Sequence, residues 1–262
     1  MKPLIVLVIG GSVLTDRTKD KPNLDLKNIN VIVSEIKKAQ AKKNFDLVIV
    51  HGMGSFGHPI AKEFNINKSI YDPNKLRGRS KLAKSLTKLN TDFVNILIKK
   101  GLNAIHFESS PAITDRGKII KMRMDTVKKF LSRGFMPVLQ AYPVYDKSYG
   151  ISILSSDHLG PYLAKSLKAK LLIGGTSIDG VYDRDPKMPN ARLLKKITPN
   201  NYQSISFFSS SYADVTGGML RKVTEYLKVA ESNVNSRIIN ITRTGTLSET
   251  ILGKSHGTLI SK

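Results

Sequence analysis

At 262 residues, with 42 lysines and arginines against 20 aspartates and glutamates, the chain is strongly basic, with a formal net charge of +22. Its length is enough for a full hydrophobic core, as one large or two closely joined domains, and no apolar run approaches the ~20 residues of a membrane span. With no cysteine there is no disulfide, no thiolate metal site and no cysteine nucleophile, which suits the cytoplasm. The basic balance admits three accounts: nucleic-acid binding, a small anionic substrate drawn into a cleft, or lysines on solvated helix faces. The lysines are scattered and no RNA-binding signature with interleaved aromatics is present, which favours the third.

Strand-like and helix-like runs then alternate. Leu4–Ile9 is continuously apolar and reads as a buried strand that flows into Gly10-Gly11. Asn23–Lys38 carries Leu26, Ile29, Ile32 and Ile36 at helical spacing, and Asp46–Val50 is a second buried strand. That strand empties into His51-Gly52-Met53-Gly54-Ser55-Phe56-Gly57-His58. A glycine-rich turn at a strand end lets an anion approach backbone N–H groups, and a histidine beyond it can add a hydrogen bond or a charge. The pattern points to a phosphate site.

Lys81–Lys100 is predicted helical, with Leu82, Leu86, Leu89, Phe93 and Leu97 on one face. A short strand at Ala104–Phe107, a helix at Asp125–Ser132 ended by Gly134, a strand from Pro137 and a hairpin over Tyr145–Leu154 follow. Ser156–Leu167 is a helix capped by Ser155 or Ser156, with Asp157 in its first turn. Lys170–Gly174 is a strand that runs into a further turn, Gly174-Gly175-Thr176. Thr216–Ala230 is helical behind Gly217-Gly218, and Arg237–Ile241 and Thr258–Ile260 are late strands.

This alternation predicts an α/β fold, a three-layer αβα sandwich around an open, largely parallel sheet. Ligands then collect at the carboxyl ends of the strands. A soft boundary near residue 165 divides an acceptor lobe, 1–165, from a nucleotide lobe, 166–262, within one compact unit.

Four segments in register carry a resemblance that runs from end to end: Gly10–Asp16, His51–His58, Asp179-Gly180-Val181-Tyr182 with Asp185-Pro186, and Asp214–Met219. Together they resemble the amino acid kinase family and, within it, the isopentenyl phosphate kinases, for which Ser55-Phe56-Gly57-His58 is the most specific part. The resemblance implies transfer of a phosphoryl group from ATP, with Mg²⁺, onto isopentenyl phosphate, in isoprenoid biosynthesis, by a homodimer. It assigns Gly52, Met53, Gly54, Ser55 and His58 to the acceptor phosphate. Gly10, Gly11, Ser12, Thr176, Asp179, Tyr182, Lys187, Gly217, Gly218 and Lys222 fall to the nucleotide. His58, Arg17, Asp157 and Lys222 are the residues expected to act on the transferred group. No metal-ligating residue is assigned.

The chain departs from the family pattern at several of these places. Val8 stands where a first-strand lysine is usual, and Met53 adds bulk where glycine or alanine is usual. Gln140-Ala141-Tyr142, Ser155-Ser156-Asp157 and Ser177 replace Tyr-Gly-Asp, Ser-Gly-Asp and the first aspartate of Thr-Asp-Val-Asp-Gly. Two alternatives stay open on these grounds: a nucleotide or phosphate sensor or partner subunit with weakened catalysis, and a kinase of another small phosphate or phosphonate.

Overall fold

In the computed structural model, residues 2–16, 21–66, 72–202 and 218–262 are described. The chain opens with β1 (Leu4–Ile9), a one-turn helix α1 (Gly11–Leu14) and a small ribbon of β2 (Thr15–Asp16) and β3 (Asn23–Leu24). Next come α2 (Leu26–Gln40), β4 (Asp46–His51), α3 (Gly54–Glu63), α4 (Pro73–Lys99) and β5 (Ala104–His106). The middle holds β6 (Ile113–Asp115), β7 (Lys118–Lys121), α5 (Asp125–Ser132), β8 (Met136–Gln140), β9 (Tyr142–Asp146) and β10 (Gly150–Leu154). The last third comprises α6 (Ser156–Ser166), β11 (Leu171–Thr176), β12 (Lys196–Ile197), α7 (Pro199–Tyr202), α8 (Gly218–Ala230), β13 (Asn235–Asn240), α9 (Thr246–Ile251) and β14 (Thr258–Ile260).

One eight-stranded sheet runs β12-β14-β13-β11-β1-β4-β8-β5. Its pairings are parallel except for β13 with β14. The apolar strands predicted from continuous hydrophobic runs are the central ones, because a parallel strand is covered on both faces and has no solvent side to keep polar. Alternate residues of β1 feed two cores. Ile5, Leu7 and Ile9 pack with α2 and α4, while Val6 and Val8 pack with α5, α6 and α8. The three-layer sandwich follows directly.

Several local readings shift. The helix expected from Lys81 begins at Pro73, where Asp72 caps it by accepting from Asn74 N at 2.9 Å. Gly174 and Gly175 are not a turn. They lie inside β11, paired with Val8 and Ile9, and a Cβ there would collide with Tyr226 and Ile241. These glycines make room for side chains from α8 and the end of β13, a demand invisible to local pattern. The hairpin at the end of the first half is β9–β10, and it joins β6 and β7 in a second, four-stranded sheet that short polar strands had concealed.

Candidate active site

The site grows from the carboxyl ends of β1 and β4, where the chain turns into α1 and α3. The two loops interlock. A Cβ on Gly11 would lie 2.4 Å from Gly54 N, and one on Gly52 would lie 2.8 Å from Gly11 N. Gly54 has φ +46°, and a Cβ there would come within 2.1 Å of Thr15 Oγ1. Only glycine meets both the left-handed backbone and the close approach. Thr15 ties the loops together, its hydroxyl donating to Gly11 O at 2.7 Å and accepting from Ser55 N at 2.9 Å.

The stretch taken as one turn is therefore the start of a helix: α3 begins at Gly54 and His58 lies one turn in. Gly10 N donates to Gly175 O and Gly52 N to Ile9 O, so these two amides are engaged in closing the strand ends. The first amides of α1 at Gly11 and Ser12, and of α3 at Gly54, have no intrahelical acceptor and are available to an anion. Met53 is buried and lies over Gly57, where a Cβ would meet its Sδ at 2.4 Å. Its bulk goes into the core, away from the approach.

His51 is fully buried, with Nδ1 3.0 Å from Gly52 O and Nε2 3.2 Å from Asn90 Oδ1, edge-on to Phe93 at 5.6 Å. Burial pushes its pKa down, which makes it a neutral strut. His58 is half-buried, with Nδ1 turned away from solvent. Ser55 Oγ, in the first turn of α3, and Gln140 Oε1, at the end of β8, are buried without a hydrogen-bond partner among the described residues. Orphaned polar atoms beside glycine loops suit a polar ligand.

On the other side, α6 begins where Ser155 accepts from Asp157 N at 3.2 Å. Ser156 Oγ would stand 3.5 Å from a Cβ on Gly52, so this helix start adjoins the loops. Lys222 reaches across from α8 and makes a short ion pair with Asp157, both side chains being largely buried. Its Nζ also sits 5.7 Å from the centre of the Tyr226 ring. Tyr226 is fully buried, and burial, then Asp157, raises its pKa well above the usual value. Val8 explains the absent first-strand lysine: its side chain fills the space over Gly160, one turn after Asp157, where a Cβ would meet Val8 Cγ2 at 2.2 Å. Lys222 is tied to this corner of the site through Asp157, the residue after Ser156.

The other predicted nucleotide residues are spread along the same edge. Thr176 Oγ1 lies 2.7 Å from Ile178 O and 3.1 Å from Ile239 O, which pins the end of β11. Asp179 accepts from Asn240 Nδ2 at 3.0 Å and pairs with Arg243 at 2.9 Å, on the wall of a cleft of about 200 Å³ that Lys195, Thr246 and His256 also line. Tyr182 bridges to Leu193, and its pKa is raised by burial and then by Asp179. Lys187 is exposed and its amide donates to Asp185 in a local turn. Gly218 opens α8 with φ +47°. Arg17 and Gly217 lie outside the described residues, as do Asp214–Thr216. Sequence reading missed Gln140, Ser156 and Asn90. Gln140 and Ser156 stood in segments marked only as departures from the family pattern, and Asn90 showed as an amide inside the apolar face between Leu86 and Phe93.

Glycine loops at a parallel sheet's carboxyl edge, next to a buried lysine–aspartate pair, describe a phosphoryl-transfer fold, and residues 3–240 match the model of the amino acid kinase family. The chain belongs to that family. It is 35% identical to an isopentenyl phosphate kinase of Methanothermobacter thermautotrophicus, with 98% of this chain and 99% of the relative covered. It is 30% identical to the isopentenyl phosphate kinase of Methanocaldococcus jannaschii, covering 98% of each. A solved isopentenyl phosphate kinase superposes with a TM-score of 0.85 at 33% identity, over 98% of this chain and 100% of that one.

Proposed function

We propose that this chain is an ATP-dependent kinase that converts isopentenyl phosphate to isopentenyl diphosphate, a phosphotransferase with a phosphate acceptor. The observation that carries the reading is the interlocked pair of glycine loops with Ser55 and His58 on the helix that starts there. Residues 1–165 supply the acceptor side and residues 166–262 the nucleotide side. The relatives are kinases by name, and none of them favours the sensor alternative.

An oxygen of the acceptor's phosphate attacks the γ-phosphorus of ATP, a new P–O bond forms, the bond to the β-phosphate oxygen breaks, and ADP leaves. The acceptor is already an anionic nucleophile, so the protein's task is positioning and neutralising charge. Gly11, Ser12 and Gly54 amides and His58 hold the phosphates. Lys222 meets the charge on the moving group, and Asp157 keeps its ammonium at that place. Ser55 and Gln140 have buried oxygens available to the acceptor.

ATP fits this edge, because α1 and α3 begin there with amides that have no intrahelical acceptor. Among the described residues no group of three or more histidines and acids could hold a metal, and Asp157 is engaged by Lys222. Mg²⁺ fits as an ion brought by the nucleotide's phosphates, whose charge it neutralises. A cytoplasmic homodimer completes the proposal and rests on the family resemblance.

The test is turnover of purified protein with Mg-ATP and isopentenyl phosphate, followed by phosphorus NMR. Diphosphate product from the native chain, reduced at least about tenfold in His58→Ala, is expected. No product, with ATP still raising the melting temperature, would return the alternatives to the front.

A further inference from the structure

The charge of this protein is not spread evenly, and the topology shows where it goes. The strands β1, β4, β5, β8, β11 and β13 are parallel, so all their amino ends lie on one edge of the sheet, opposite the site. Helices α2, α4, α5, α6 and α8 each lead into one of these strands and therefore end on that edge. The C-terminal end of β14, antiparallel to β13, returns there too.

Cations collect at every one of these ends. The end of α2 and its loop carry Lys37, Lys38, Lys42 and Lys43, and α4 ends in Lys99 and Lys100. The end of α5 adds Lys128, Lys129 and Arg133. Around the end of α6 stand Lys165, Lys168 and Lys170, and the termini bring Lys2 and Lys262. All are exposed except Lys43, which is half-buried. The acids of these segments are Asp46 and Glu231. The last turn of α8 brings Lys228, which pairs with Glu225, and none of the other cations forms an ion pair among the described residues.

Helix dipoles favour a basic residue in a last turn, but Lys2, Lys42, Lys168, Lys170 and Lys262 lie beyond any helix end. Attraction of an anionic substrate does not explain the pattern either, since the charge is on the edge away from the site. Lysine dominates, with Arg133 the lone guanidinium, and the large apolar side chains exposed there are Ile98 and Phe135. Nucleic-acid sites draw on arginine forks and several stacking aromatics. Lysine point charges over a broad edge, with isolated apolar side chains among them, fit the headgroup layer of an anionic bilayer.

We infer that the edge of the sheet opposite the catalytic site is a docking face for an anionic lipid surface. The kinase then sits on the membrane with its site turned outward, toward soluble substrates.

Sedimentation of the full chain with vesicles decides the matter. With phosphatidylglycerol-rich vesicles the protein should pellet, be released as salt rises, and stay in solution with pure phosphatidylcholine. The combined variant Lys42→Glu/Lys43→Glu/Lys99→Glu/Lys100→Glu should remain in solution while keeping its melting temperature and its response to ATP. Failure of the native chain to pellet overturns the inference, as does equal pelleting of the variant. Salt-sensitive retention of RNA without vesicle binding would overturn it in favour of a nucleic-acid face.

Discussion

Lys222 and Asp157 form a buried pair that joins α6 to α8 and, in the proposed mechanism, also serves the chemistry. Each is largely buried, and each neutralises the other in a place where an unpaired charge would be costly. With Val8 packed over Gly160, no cation comes from β1, so Lys222→Met should cut turnover by about 10²–10³. The same change leaves Asp157 unpaired and should cost about 3 kcal/mol of stability. Adding Asp157→Asn should restore much of that stability and none of the rate. Denaturation curves and single-turnover kinetics on the two variants separate these effects. The sequence showed both residues as site candidates, by motif alone. It could not show that they touch, because they lie on different helices and meet only when α6 and α8 pack on one face of the sheet.

At the scale of elements, α6 and α8 are joined by a second polar contact. Lys228 donates to Glu225 at 2.5 Å, and His158 lies 3.6 Å from the same carboxylate. Burial works against ionisation of Glu225, but these neighbours outweigh it and hold its pKa at about 2, below the ordinary 4.5. A depressed carboxylate pKa stabilises the fold above its unfolded value, and that share is lost as pH falls from 4.5 toward 2. After allowance for solvent screening it is worth about 1–2 kcal/mol. Glu225→Gln should therefore lower stability at neutral pH and flatten its decline in this acid window, as urea titrations across pH would show. Most helices and strands here were legible because apolar spacing records burial. The start of α3 was not, since glycine and serine at a helix N-terminus look the same as a turn. Strands β6 and β7 were hidden for a similar reason: Lys118–Lys121 is mostly exposed and carries little apolar signal.

For the whole molecule, the proposed division near residue 165 is one of ligands only, since the sheet itself is continuous. β1 of the first half lies between β4 of its own half and β11 of the second, with Val8 paired to both Val50 and Gly174. The hydrophobic layers on both faces likewise draw on both halves. Thermal unfolding should be a single transition by both circular dichroism and intrinsic tyrosine fluorescence. Mg-bound, non-hydrolysable ATP at about 100 times its dissociation constant should raise stability of the whole chain by about 2.7 kcal/mol. Two separated transitions, with ATP moving only one, would show lobes that fold independently.

The sequence by itself determined the alternation of elements, the buried parallel strands, the glycine loops and the residue types available for phosphate chemistry. These are local properties, written in hydrophobic spacing and in the conformations that glycine permits. The tertiary structure decided which of those residues are left at the carboxyl edge of the sheet and which are engaged elsewhere. It sent Met53 and His51 into the core, spent the amides of Gly10 and Gly52 on strand ends, and turned Asp179 toward Asn240 and Arg243. It also gathered lysines that are scattered along the chain onto one edge. Contacts between residues far apart in sequence depend on strand order and helix packing, and no local pattern carries that information.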